Sequence, residues 1–148
     1  MLTLTRRVGE SIRIGQTTCI TVYDRLRYHV LIGVLTAPQE GVRFGAEALR
    51  AAALPDGNHF YLLTLLSDEC FEVGPARVGL RFRPTYLGTT RASGGQVKLD
   101  VAAPLEVPVD REEVFLRRNN FSSDVAGLVA FSRWMCRANQ SVSTRSVG

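Results

Sequence analysis

The sequence predicts a mostly β protein with short helices, in which a unit of five short strands and a helix is written twice and a C-terminal helix follows. Three observations lead there. The opening MLTLTRRVGESIRIG returns at residues 60–74 as FYLLTLLSDECFEVG, with Leu4 on Leu63, Thr5 on Thr64, Glu10 on Glu69 and Gly15 on Gly74, all at an offset of 59. Short β-branched and apolar runs recur between Gly, Pro and Asp turn signals in both halves. Each half then closes on a helix-forming stretch. One mismatch stands out: Arg6 and Arg7 of the first copy meet Leu65 and Leu66 in the second.

In the first half, residues 2–8 and 11–14 read as strands split by Gly9-Glu10, and 19–23 is a β-branched run. Residues 28–34 are nearly all apolar, and a short strand over 41–44 follows Ala37-Pro38. Residues 46–54 favour helix and stop at Pro55-Asp56-Gly57. The second half repeats the order with strands at 61–66, 70–73, 78–83, 96–101 and 107–109, then a helix over 111–118.

Correspondence resumes late in each copy. Val30 and Val34 precede Val97 and Val101 by 67, the growth lying in the Gly/Thr/Ser-rich loop 84–95. Ala37, Pro38, Glu40 and Glu47 precede Ala103, Pro104, Glu106 and Glu113 by 66. Ordered agreement over five strands and a helix reads as internal duplication. It gives a first repeat at 1–54, a linker at 55–59, a second repeat at 60–119 and a tail at 120–148. In the tail, Ser122 or Ser123 can cap a helix whose Val125, Leu128, Phe131 and Met135 recur at helical spacing.

Composition narrows the class. With 148 residues, 45% hydrophobic and 22% charged, the chain suits one compact domain or two half-size units sharing a core. Of 18 basic residues only Lys98 is a lysine, and the net charge is +4. Arginine adds forked, planar hydrogen bonding to bases and phosphates, but a preference for Arg codons gives the same skew. Cys19, Cys70 and Cys136 are too far apart for a CxxC pair, so neither a disulfide framework nor a zinc site is expected. No run approaches the ~20 apolar residues of a spanning helix, so a soluble, cytoplasmic protein without a membrane partner is expected. His29 and His59 lie near no ligand or acid/base pattern, and Glu112-Glu113 point in different directions on a helix start. Neither an enzyme nor a cofactor is expected.

MLTLTRRVGESIRIG and VLIGVLTAPQEGV closely resemble the opening, fourth strand and following loop of the carbon storage regulator (Csr/Rsm) family of bacterial translational regulators. VKLDVAAPLEVPVDREEVFLRR resembles that family's closing motif. The likeness covers roughly residues 1–52 and 60–119 and leaves out the tail. It implies a five-stranded unit that folds only as an interleaved dimer, here two Csr-like units forming a single-chain pseudo-dimer. It further implies composite RNA sites, the first strand of one unit beside the fifth strand of the other, each holding a GGA-containing single-stranded loop.

By that resemblance the RNA-facing positions are Leu4, Arg6 and Arg7 in the first strand, Lys98 in the fourth, and Val109 and Arg111 in the fifth. The backbone of Ala103, Pro104, Glu106 and Val107 would offer groups to base edges, except at the proline nitrogen. Copy two has Leu63, Leu65 and Leu66 in its first strand, and copy one has Arg43, Gly45 and Leu31 where copy two has Val109, Arg111 and Lys98. Each copy has thus lost the opposite half of a site, leaving one intact composite site and one degenerate one. Arg43 could compensate after a one-residue slip. Asp110 and Glu113 form a D-x-x-E pattern expected to cap the last helix.

The expected function is GGA-specific RNA binding and translational regulation, with mRNA leaders and regulatory small RNAs as partners. Plainer readings stand beside it. Arg6-Arg7 alone suits a solvated strand end, Arg111 a helix-start surface charge, Lys98 plain surface, and Leu65-Leu66 core or a partner patch. The other function class is a protein-interaction module derived from the same fold, using the leucine face or the tail helix for a partner or self-association. Two chains interleaving in trans would also satisfy the pattern.

Overall fold

A computed structural model describes residues 1–83 and 96–118 of the chain; the tail helix and the loop 84–95 expected from sequence lie outside the described residues. The elements are β1 (Leu2–Arg7), β2 (Ser11–Ile14), β3 (Thr18–Arg25), β4 (His29–Thr36), β5 (Val42–Phe44), β6 (Glu47–Ala48) and β7 (Ala52–Ala53). The second half adds β8 (His59–Leu66), β9 (Cys70–Val73), β10 (Ala76–Arg81), β11 (Gln96–Ala102), β12 (Val109–Arg111) and α1 (Glu112–Arg118).

These strands make two six-stranded antiparallel sheets, in the orders β1-β11-β10-β9-β5-β6 (sheet A) and β12-β2-β3-β4-β8-β7 (sheet B). In sheet A the second-half trio β11-β10-β9 is flanked by β1 and β5-β6 of the first half; in sheet B the first-half trio β2-β3-β4 is flanked by β12 and β8 of the second, with β7 of the first half beyond β8. The interleaving expected from the resemblance is therefore the architecture of a single chain. Alternation along the strands explains the core. Ile12, Ile20, Val22 and Ile32 of sheet B and Phe71, Val78, Leu80 and Leu99 of sheet A point inward, and all belong to one buried cluster drawn from both sheets.

Local geometry repeats between the halves. Gly9 and Asp68 both take positive φ, donate to Val22 O and Leu80 O at 2.7 Å each, and are followed by Glu10 and Glu69, whose carboxylates accept from the N–H of Arg7 and Leu66. Gly15 and Gly74, again at positive φ, donate to Pro108 O and Gly41 O.

Hydrogen bonding also corrects the late alignment. Val42 pairs with Val73 and Arg43 with Glu72, as Val109 pairs with Ile14 and Asp110 with Arg13. The turn bonds Glu40 N to Ala37 O and Val107 N to Pro104 O match in the same way. The offset is therefore 67 throughout, not 66 beyond Ala102: Val42 matches Val109, Phe44 matches Arg111, and Ala46 matches Glu113. Identical Ala-Pro and Glu letters one register away misdirected the sequence comparison.

The helix expected over residues 46–54 is not formed; β6 and β7 stand there instead. Alanine propensity favours helix, but nine residues make a marginal helix, and this segment bridges two open strand edges. β6 pairs with β5 through Arg43↔Ala48 and Phe44↔Glu47, and β7 pairs with β8 through Ala52↔Phe60 and Ala53↔His59. Leu54 then turns through Gly57 into β8, its N–H bonded to Asn58 O.

The outer face of sheet B has a small apolar cluster of its own, Cys19, Leu35, Leu54 and Phe60, with Tyr23 and Leu62 packed on it. Gly33 makes room for it: a Cβ there would collide with the Tyr23 ring and stand 3.0 Å from Phe60 Cζ. Gly33→Ala is expected to lower unfolding free energy by about 2 kcal/mol, because two packed aromatics must shift; urea denaturation measures it, and an unchanged midpoint would show the ring moves freely.

Candidate nucleic-acid interface

β1 and β12 end their sheets on the same side of the molecule, and the short β1–β2 turn sets β1 close to β12 without hydrogen-bonding them. β12 pairs with β2, with Arg111 opposite Ile12. The two edges are joined by a side-chain tie. Arg6 Nη1 and Nη2 each donate to Glu113 at 3.0 Å, and Nη1 also donates to Ser11 O at 3.2 Å. Alternation along β1 sends Leu4 and Arg6 inward and leaves Arg7 exposed. Arg6 is only 6% exposed and Leu4 8%. Two expected RNA-facing side chains thus lie largely inside, whereas Arg7, Lys98 and Arg111 are exposed.

Glu113 stands between charges. Burial opposes its ionisation, but the Arg6 hydrogen bonds, its own backbone N–H and the charges of Arg6 and Arg111 together outweigh this, and its carboxyl is held below the usual range. Glu113 thus bonds Arg6 and also feels the charge of Arg111. The expected capping box is not formed. α1 begins one residue later than the D-x-x-E pattern assumes, Asp110 accepts from Arg118 at 3.0 Å, and Glu113 serves Arg6. Sequence reasoning saw Glu113 only as a cap; its pairing with a residue 107 positions away leaves no local signal.

The rest of α1 fixes this corner. Phe115 lies over the Arg13 guanidinium at 4.3 Å from the ring centroid and is itself buried. Glu112, beside Cys19, is raised by burial against the opposing pull of Arg13, and burial pushes the Cys19 thiol up to about 11. Between β11 and β12 the chain turns through Ala103, Pro104, Glu106 and Val107, with Val107 N donating to Pro104 O at 2.9 Å and Leu105 fully exposed at the tip. Val107 and Val109 are half-buried against the core. Lys98 lies opposite Thr5 in the β1–β11 ladder, on the same outward face as Arg7.

The matching corner on the other side keeps Glu69 for Glu10 but differs at Arg6, Arg7, Lys98, Arg111 and Glu113. Leu65 is fully buried where Arg6 would be, and Ala46 replaces its carboxylate. Leu66, Leu31 and Phe44 replace Arg7, Lys98 and Arg111. Both backbone edges there are taken: β6 covers β5 and β7 covers β8. Arg43 matches Asp110 and points to the outer face of sheet A opposite Glu72, so no slip brings it to the arginine position.

Strands exchanged between the two halves around a shared core make the interleaved β scaffold that the motifs anticipated. Residues 1–51 match the model of the CsrA family, described as a global regulator protein family. No curated protein and no solved structure matches the chain. Among the described residues no helix is long and apolar enough to cross a membrane.

Removing one member of the Arg6–Glu113 pair should have unequal effects. Glu113→Gln leaves a buried guanidinium short of its anion and is expected to cost about 2 kcal/mol. Arg6→Leu leaves a half-exposed carboxylate that water can solvate and should cost under about 1 kcal/mol, as a buried pair often exchanges for apolar packing with little loss. Because the folded-state pKa of Glu113 is depressed, its stabilisation is present above the usual carboxylate range and lost as pH falls through the folded value. Urea unfolding from pH 7 to pH 3 should show a flatter acid limb in Glu113→Gln; equal costs for the two variants would refute the asymmetry.

Proposed function

We propose that this chain is a translational regulator that binds one GGA-containing single-stranded RNA loop per molecule, in the cradle between β1 and β12. In this reading the halves descend from one duplicated unit and act as a cytoplasmic single-chain pseudo-dimer in which one of two ancestral sites survives. Arg7, Arg111 and Lys98 supply forked or point-charge donors to phosphates and guanine acceptors. Val109 gives apolar surface beneath a base, with Leu4 supporting it from the core. The turn through Ala103, Pro104, Glu106 and Val107 presents backbone groups to base edges. Arg6 acts chiefly by holding Glu113, and through it the start of α1 and Arg111, at a fixed distance from β1.

The observation that supports this most is the contrast between the two edges. One pair of strand edges ends its sheets among the described residues and is flanked by exposed cations. The equivalent pair is capped by β6 and β7 and flanked by Leu31, Phe44 and Leu66. A homodimer makes its two sites alike because one sequence encodes both; fusion lifts that constraint.

Titration of a GGA hairpin RNA should saturate at one RNA per chain. Arg111→Ala should weaken binding roughly 10- to 100-fold, the value of a lost charge-assisted hydrogen bond. Each phosphate contact removed should lower the log–log salt slope by about 0.7. Two RNAs per chain, or full affinity in Arg111→Ala, would sink the proposal.

A further inference from the structure

We propose a second, sequence-independent RNA-binding surface on the outer face of sheet A, which takes the single-stranded nucleotides flanking the recognised loop. The inference rests on the function proposed above and extends it to a path for the rest of the RNA. The antiparallel register puts Arg7, Lys98, Arg81, Arg77 and Arg43 on one face. Thr5 pairs with Lys98 and Lys98 with Arg81; Arg77 pairs with Glu72 and Glu72 with Arg43. All five cations are exposed. The strands return only two carboxylates to this face, Asp100 and Glu72, with Asp68 on a turn near Arg81. Counting Asp68, the face keeps an excess of two, half of the chain's net charge of +4.

The matching face of sheet B makes the pattern specific. At the corresponding positions it has Leu66, Leu31, the bulged pair Tyr23-Asp24, Cys19 and Asp110, none of them a cation. Arg13, the counterpart of Glu72, lies against Phe115, so one framework carries five exposed cations on one outer face and none at the five matching positions of the other. A generally solvated surface would not segregate charge in this way.

Geometry suits an extended polyanion. From β1 to β5 the face spans four strand steps, about 19 Å at ~4.8 Å each. Gly79 lies at its centre, where a side chain would meet nothing nearer than 3.9 Å, so the floor is low between the cationic rows. Arg81 is held by Asp100 at 2.6 and 2.9 Å, and Arg77 lies on the Cys70 sulfur at 3.2 and 3.4 Å. These contacts hold both guanidiniums against the sheet while they remain exposed. The occupant is RNA because Arg7 and Thr5 belong to β1 itself: nucleotides leaving the cradle over that strand meet Lys98 and Arg81 next.

The test compares two RNAs on the full chain, a minimal GGA hairpin and the same hairpin with single-stranded extensions. The extended RNA should bind roughly tenfold more tightly at ~0.1 M salt, its slope steeper by about 0.7 per added phosphate contact. R77Q/R81Q should bring the extended RNA to the affinity of the hairpin and leave hairpin binding unchanged, which also reports an intact fold. E72Q, which removes a carboxylate from the face, should tighten the extended RNA alone. Equal affinity of the two RNAs for the wild-type chain overturns the path and leaves the cradle standing. Failure of the hairpin itself to bind defeats the proposed function, and the path falls with it. If R77Q/R81Q loses both RNAs, E72Q decides, and an unchanged extended-RNA affinity in it overturns the path. Phosphatidylserine vesicles captured through the same arginines, with the two RNAs equal, would assign the face to membranes and likewise overturn it.

Discussion

Neither half of this chain can complete a sheet by itself. β1 has its hydrogen-bonding partner in β11, and β8 has its partner in β4, so each inner strand trio is closed by a strand from the other half. The inward residues of both trios meet in one cluster. A unit of roughly 60 residues with strands this short buries too little surface to stand alone, and exchange of the flanking strands is the remedy. The corner between β1 and β12 is a by-product of that exchange, since it brings the end of one sheet beside the end of the other.

Arg6 and Glu113 show how the corner is held and why its counterpart changed. In the other half the cation and the anion are both gone, as Leu65 and Ala46, and Leu65 is sealed in the core. A buried guanidinium without its carboxylate is costly, whereas an apolar pair in the same volume is tolerated. Loss of either partner therefore favours loss of the other. Leu65 differs from Arg6 inside the core, whereas Leu66, Leu31 and Phe44 differ from Arg7, Lys98 and Arg111 in charge presented to solvent.

Most strands and the turns after β1 and β8 were legible because they depend on short apolar runs and on Gly9, Gly15 and Gly74, which leave local marks; the interleaved plan came from the family resemblance alone. Three things were not. The segment 46–54 followed the edges it had to cover rather than its alanine propensity. The late register hinged on Ala-Pro and Glu letters, and only the pairing of Val42 with Val73 placed it. Burial of Arg6 depended on a carboxylate far along the chain, although alternation alone already separated Arg6 from Arg7. The cationic face of sheet A was equally hidden, because Arg77, Arg81 and Arg43 come from three strands and two halves.

Strand exchange also fixes an order of events during synthesis. β1 pairs with residues 89 to 99 positions further on, from Arg7↔Gln96 to Leu2↔Val101. At about 5–20 residues per second the nascent chain waits roughly 5–20 s after β1 is made before its partner even exists. Over that interval β1 and the edges of the trio β2–β4 stay unpaired and open to neighbouring chains on the same polysome.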